Sequence, residues 1–213
     1  MNEQLERIKA KLAQLKSSDP NYKLFGASTH QYKLNPTISM EVVRQFELTH
    51  HIDLPDGYTA FLTKIGNGGA GPYYGLERLE DALFDDLDYK RPGNLLNPAK
   101  PFLHTAPWNQ TFTLTVEVEE DEEEYERQRM EFEKEYFDRQ QMNGVIAICN
   151  FGCAVRLNLV VNGQEHGNIW TDDRSSDNGI HPSYELGNKD KISFLDWYEL
   201  WLDKSLKGKT AKP

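Results

Sequence analysis

Long apolar runs are missing from this 213-residue chain. No stretch approaches the roughly 18 consecutive apolar residues that a membrane-spanning helix needs. The segment MNEQLERIKAKLAQLK carries no apolar h-region of the kind found in secretory signal peptides, so a cytoplasmic location is expected. Cysteine is nearly absent: Cys149 and Cys153, both in CNFGC, are the only two. They read as small apolar residues flanking a turn between strands. A zinc site would need two further ligands, with His166 and His181 the nearby candidates, and a disulfide is not expected in a reducing compartment.

Catalytic signatures are missing as well. There is no GxSxG, no Walker loop and no GxGxxG. His30, His50, His51, His104, His166 and His181 are scattered, without HExxH spacing or a serine or cysteine partner in a nucleophile motif. No acidic group follows the spacing of a calcium loop. No catalytic residue, metal ligand or cofactor is assigned. No internal repeat and no linker divide the chain, and its length suits one domain with a continuous core.

What is present is negative charge. The net charge is −10 and the isoelectric point near 5.1. Self-repulsion at this charge favours solubility and disfavours direct binding to nucleic acid or an anionic membrane. A basic protein partner would be steered toward such a surface. Hydrophobic residues make up 38% and aromatics 11% of the chain, enough for a globular core.

Leu5, Ile8, Leu12 and Leu15 form a helical stripe that ends at Ser17-Ser18-Asp19-Pro20, predicting an amphipathic N-terminal helix within residues 1–20 that packs on the domain. Ser39 is the predicted N-cap of a helix carrying Met40, Val43 and Phe46. In LPDGYTAFLTKIGNGGAGPYYGL, Leu54 to Leu76, Pro55 suits a first helical turn. Tyr58, Phe61, Leu62 and Ile65 make one apolar face. Gly66-Asn67-Gly68-Gly69 stops the helix, and Tyr73–Leu76 reads as a strand. These glycines follow a helix rather than lead into one, so they make a turn and not a phosphate cradle. Pro92, Pro98, Pro101 and Pro107 break residues 77–111 into loops.

Val145–Cys149 is continuously apolar, as expected for a strand in the middle of a sheet. Val155, Leu157, Leu159 and Val161 alternate, and Asn162-Gly163 signals a hairpin. A two-residue loop there would set Trp170 opposite Val155 on the core face. Ser193 to Asp196 reads as a capping box for a helix with Phe194, Trp197, Tyr198, Trp201 and Leu202 on its apolar face and its end at Gly208. The fold class that follows is α+β: a mostly antiparallel sheet with helices packed against it.

Two acidic groups invite a functional reading. Residues 117–135, EVEEDEEEYERQRMEFEKE, read as a helix with a thin stripe of Tyr125, Phe132 and Tyr136. The run reads first as a solvated helix face, and its functional reading is an acidic docking surface for a basic partner. Glu120, Asp121, Glu122, Glu123 and Glu124 are the candidate partner-binding residues, with Asp172 and Asp173. The last two are adjacent and would point to opposite faces of a strand, which opposes a shared metal. An ion pair with Arg174 is the alternative.

The 54–76 segment resembles the signature of the SUKH superfamily, which contains bacterial immunity proteins and fungal cell-wall synthesis regulators. Its pattern is an LP-x-x-Y-x-x-F-L helix, an NGG turn and a G-x-x-L strand entry. Leu54, Pro55, Tyr58, Phe61, Leu62, Asn67, Gly68, Gly69 and Gly75 stand at fitting places, and Leu79 stands one residue beyond its place in the pattern. Residues 152–180, with Trp170, and 194–206, with Trp197, resemble the C-terminal part of bacterial members. The likeness covers most of the chain outside residues 1–30 and 110–140. It implies one SUKH-like domain over 1–213, with core signature 39–80 and 144–206. It also implies a non-enzymatic, cofactor-free immunity protein that neutralises a cognate, often nuclease, toxin of a polymorphic toxin system by direct contact. A regulatory scaffold like the fungal members is the alternative it implies.

Overall fold

The computed structural model describes residues 1–85, 90, 91, 95–113, 115–118 and 120–210; Pro92 and Glu119, used above, lie outside them. Those residues form an α+β unit of six α-helices and one four-stranded antiparallel sheet in the order β1-β2-β3-β4. The strands are β1 (Val145–Gly152), β2 (Val155–Val160), β3 (Ile169–Asp173) and β4 (Gly179–Pro182).

Every residue of β2 is buried, because each face of the sheet carries its own core. Ile146, Ile148, Leu157, Leu159 and Ile169 face the larger core, shared with the helices. Val145, Ala147, Val160, Trp170 and Ile180 face a smaller one closed by Leu96, Phe102 and Met142. Trp170 therefore lies on the opposite face from the one expected. It pairs with Asn158, not Val155, because the β2–β3 connection runs over residues 161–168 rather than two residues. A register change of one residue reverses the face of a side chain.

β1 also departs from expectation, since it is the first strand in the order and not a middle one. Its burial comes from residues 76–82, which lie along its outer side. The Ala147 N–H donates to the Ala82 carbonyl (2.8 Å), and the Glu77 N–H donates to that of Ile148 (2.9 Å). On the far side of the sheet, Trp108 and Ile180 exchange backbone hydrogen bonds of 2.8 and 2.7 Å.

Helix α1 (Asn2–Ser18) buries the predicted stripe Leu5, Ile8, Leu12 and Leu15 against α6 (Phe194–Thr210). Arg7 of α1 donates to both Glu199 oxygens (2.9 and 3.0 Å), and Lys11 bridges Glu199 and Asp203 (2.9 and 2.6 Å). α6 continues through Gly208 to Thr210, beyond its expected end. At its start the Ser193 hydroxyl donates to the Asp196 carboxylate (2.7 Å). The short α2 (Ala27–His30) precedes α3 (Met40–His50), which Ser39 caps as expected, its hydroxyl accepting from the Val42 N–H at 3.3 Å.

α4 (Asp56–Lys64) buries Tyr58, Phe61 and Leu62. Its rings meet α6 edge-on, with Tyr58–Phe194 at 4.7 Å and Phe61–Tyr198 at 4.8 Å. Pro55 is the extended N-cap (ψ 137°) rather than part of the first turn. Asn67 follows as a bracket: its side-chain oxygen accepts from the Leu79 N–H (2.9 Å), and its amide donates to Glu80 (2.8 Å). Gly68 has φ +77°, and a Cβ there would stand 2.5 Å from the Glu77 carbonyl oxygen, so no other residue fits without a shift. Tyr73–Leu76 is not a strand. Tyr73 has φ +53° and the Gly75 N–H turns back onto the Pro72 carbonyl (2.9 Å), leaving Leu76 alone to bridge Gly69 and Cys149. Among the described residues no helix is long and apolar enough to cross a membrane.

Candidate functional site

The acidic run forms α5 (Glu122–Tyr136), which starts later than its composition suggested. Asp121 sets the start: its carboxylate accepts the Glu124 N–H at 3.0 Å, and Glu122, Glu123 and Glu124 occupy the first turn. Both choices satisfy free N–H groups and complement the positive end of the helix dipole. Residues 117–136 hold eleven carboxylates and three basic side chains, hence eight of the chain's ten net negative charges.

These carboxylates are not equivalent. Glu124 takes two hydrogen bonds from Arg127 (2.7 and 2.5 Å) and one from Gln128 (2.8 Å), and those contacts hold its carboxyl down at about 2. Arg127 also reaches Glu131 (2.7 Å), and Arg129 reaches Glu126 (2.8 Å). Glu120, Glu122 and Glu123 are exposed and pair with no described cation within 4.0 Å. Of the five candidate residues, these three are open, Asp121 is a cap and Glu124 is tied into α5 itself.

α5 touches the body mainly through its C-terminal half, where Tyr136 is its one buried residue. A ladder of rings runs inward from Phe112 to Phe132 (4.8 Å), Tyr136 (5.1 Å) and Trp108 (5.5 Å). The Tyr136 hydroxyl donates to Asn109 Oδ1 (2.7 Å). An open groove of about 500 Å³ lies between α5, residues 109–112 and residues 174–177.

Asp172 and Asp173 bear on this region from beneath. They diverge, as neighbours on a strand should. Asp172 is buried and receives Arg174 Nε (2.8 Å) and Nη2 (2.7 Å), so the expected local ion pair is present. Arg174 Nη1 then donates to the carbonyls of Tyr136 (2.7 Å) and Asp138 (3.1 Å), which latches the C-terminal end of α5 to β3. Burial works against the charge on Arg174, but the hydrogen bonds and charge of Asp172 outweigh it and leave the guanidinium pKa raised. Asp173 accepts from the Asn178 amide (2.8 Å) and shapes the turn into β4. Asp85 completes the cluster, its carboxyl pushed up by burial and then by the charge of Asp172.

Both thiols are free: Cys149 is buried inside β1 and Cys153 is exposed. Burial pushes the Cys149 thiol well above its ordinary value. His166 and His181 contact the backbone carbonyls of Asp53 (2.9 Å) and Pro182 (3.0 Å), and among the described residues no three His, Cys, Asp or Glu side chains are grouped to hold a metal.

The signature residues Pro55, Tyr58, Phe61, Leu62, Asn67, Gly68, Gly69, Gly75, Trp170 and Trp197 lie in the core, in the sheet or in the turn after α4, away from the α5 groove. Sequence reasoning missed Gln110 and Phe112, which carry no local pattern and become neighbours of α5 only through the fold. The adjacency of Asp172, Asp173 and Arg174 was the available signal for the latch. In comparisons with known proteins, the chain matches no family model, no curated protein and no solved structure.

Proposed function

We propose that this chain is a non-catalytic binding protein with a SUKH-like domain, which neutralises a cognate bacterial toxin in the cytoplasm by direct contact. The partner is a protein with a basic surface, a description that nuclease domains meet because they carry cationic faces for their own substrates. The observation that carries this reading is the concentration of eight of ten net negative charges in residues 117–136, with Glu122 and Glu123 exposed at the start of α5. Such a patch raises the local concentration of a cationic partner and speeds productive encounter. The resemblance of Leu54–Leu79 to the SUKH signature supplies the class of partner, and the structural placement of those residues fits a shared framework with a separate recognition surface.

The test is co-expression with toxin domains encoded beside the gene, followed by binding kinetics on the pair that is rescued. Charge reversal at Glu120, Glu122 and Glu123 should lower the association rate at low salt by about tenfold or more, with the difference shrinking as salt screens it. If every neighbouring toxin remains lethal and unbound, the immunity reading fails. An unchanged association rate after charge reversal removes α5 from it.

A further inference from the structure

The apolar residues of α5 fall on two faces. Tyr125, Phe132 and Tyr136 line the groove on the side of the body. Met130 does not belong to that stripe. At about 100° per residue it stands about 160° round the helix from Phe132, and it is 59% exposed. Phe137, the residue that closes α5, comes seven positions later, within about 20° of the Met130 direction, and is 48% exposed. Tyr136 (5.0 Å) and the Arg174 guanidinium (6.0 Å) hold its ring in place. Seven positions before Met130 stands Glu123, exposed, with Glu122 exposed beside it. Neither pairs with a described cation within 4.0 Å. The outward line of α5 is therefore Glu123, Met130, Phe137: a carboxylate at one end, then two apolar side chains one turn pair apart. Glu126 and Glu133 flank this line but are drawn to Arg129 (2.8 and 3.9 Å), and Lys134 edges the other flank. Its uncompensated negative charge thus gathers at the N-terminal end.

We propose that this outward face of α5 docks an apolar patch of a partner protein, one that carries lysine or arginine at the end meeting Glu122 and Glu123. The inference rests on the binding reading above and adds the face and the chemistry of contact. Charge complementarity selects the occupant. A second copy of this chain would bring the same eight net negative charges to the face, and the rest of the chain is itself net negative by two, so self-association sets like charges together. Nucleic acid and anionic lipid are repelled for the same reason. A basic protein is attracted. Its cations meet the carboxylates at the rim, where charge sets encounter rate and orientation. Met130 and Phe137 supply the desolvated centre, and both are residue types enriched in interfaces. Their seven-residue spacing is that of the anchors by which a helix is read from one side.

The experiment titrates the full chain, by fluorescence anisotropy, into two labelled helical peptides of leucine and lysine with one composition. In the first the leucines form a single stripe rimmed by lysine; in the second they are spread round the helix. Equal peptide charge cancels the electrostatic attraction from the comparison. The wild type should prefer the striped peptide by about tenfold. Met130→Gln and Phe137→Gln should each remove most of that preference. Glu122→Gln with Glu123→Gln should weaken both peptides by the same factor, an effect that fades as salt rises. Should Phe137→Gln loosen α5 by circular dichroism, Met130→Gln carries the comparison, because that exposed side chain can change without cost to the core. Equal affinity for the two peptides overturns the proposal, as does a preference that survives the glutamine variants. A dimer in sedimentation that Met130→Gln dissociates overturns it too, by giving the face to a second copy. The two readings fail separately. A preserved preference without toxin rescue removes the immunity reading alone, and rescue unaffected by Met130→Gln and Phe137→Gln removes this face alone.

Discussion

Replacing Arg174 with methionine should unlatch α5 from the sheet. The substitution keeps an apolar stem but deletes four side-chain hydrogen bonds, two to Asp172 and one each to the carbonyls of Tyr136 and Asp138. It also strands the Asp172 carboxylate in a site where that residue is 9% exposed. Breaking one side of a buried pair costs about 3–5 kcal/mol. Arg156 stands opposite Asp172 in the β2–β3 register and compensates in part, which places the cost near 3 kcal/mol at the lower end of that range. For a domain of this size the melting temperature should fall by about 10 °C. Hydrogen exchange separates local from global loss: protection at the C-terminal end of α5 should fall by more than the global change, because the two carbonyls lose their donor. Combining Arg174→Met with Asp172→Leu should recover much of the stability, since replacing both partners by apolar groups removes the stranded charge. A double variant as unstable as the two single losses summed would refute the latch, as would exchange that rises evenly over the whole chain.

Two further outcomes follow from the same geometry. Asn67→Ala leaves the Leu79 N–H and the Glu80 carboxylate without their partner, and should cost about 2–3 kcal/mol in urea unfolding with the slope unchanged. The Arg7 hydrogen bond, then that of Lys11, holds the Glu199 carboxyl down at about 2, against an ordinary 4.5. This stabilisation is present above pH 4.5 and is lost as the pH falls from there toward 2. Because Arg7 is half exposed, solvent screening discounts this stabilisation. Melting curves over that range should show a decline that Glu199→Gln makes shallower.

Local periodicity made the helices legible. Leu5, Ile8, Leu12 and Leu15 define α1 by spacing alone, and Ser39 marks the start of α3, because both signals act within one or two turns. The face of Trp170 was not legible. It depends on the path of residues 161–168, which is settled by contacts of Gly163 with Phe102 and of His166 with Asp53. Tyr73–Leu76 has strand-like composition, yet Tyr73 adopts a left-handed φ of +53° to pack its ring 4.2 Å from Phe151. The acidity of α5 could be read from composition, whereas its division into tied and open carboxylates could not. That division depends on which glutamates Arg127 and Arg129 engage, and on where Asp121 starts the helix. The groove needed Gln110 and Phe112 brought beside α5, which no local pattern announces.

The segments flanking the sheet have a consequence for the manner of recognition. On one side the backbone of residues 76–82 bonds to β1, and on the other Trp108 bonds to Ile180 of β4. At these positions the N–H and C=O groups that would template another strand are already spent. A partner cannot enrol as a fifth strand there, the route by which many binding domains capture extended peptides without regard to much of their sequence. It must be read through side chains instead, and discrimination then rests on a few surface residues that can change without disturbing the scaffold. The same shielding keeps copies of the chain from growing edge to edge when it accumulates.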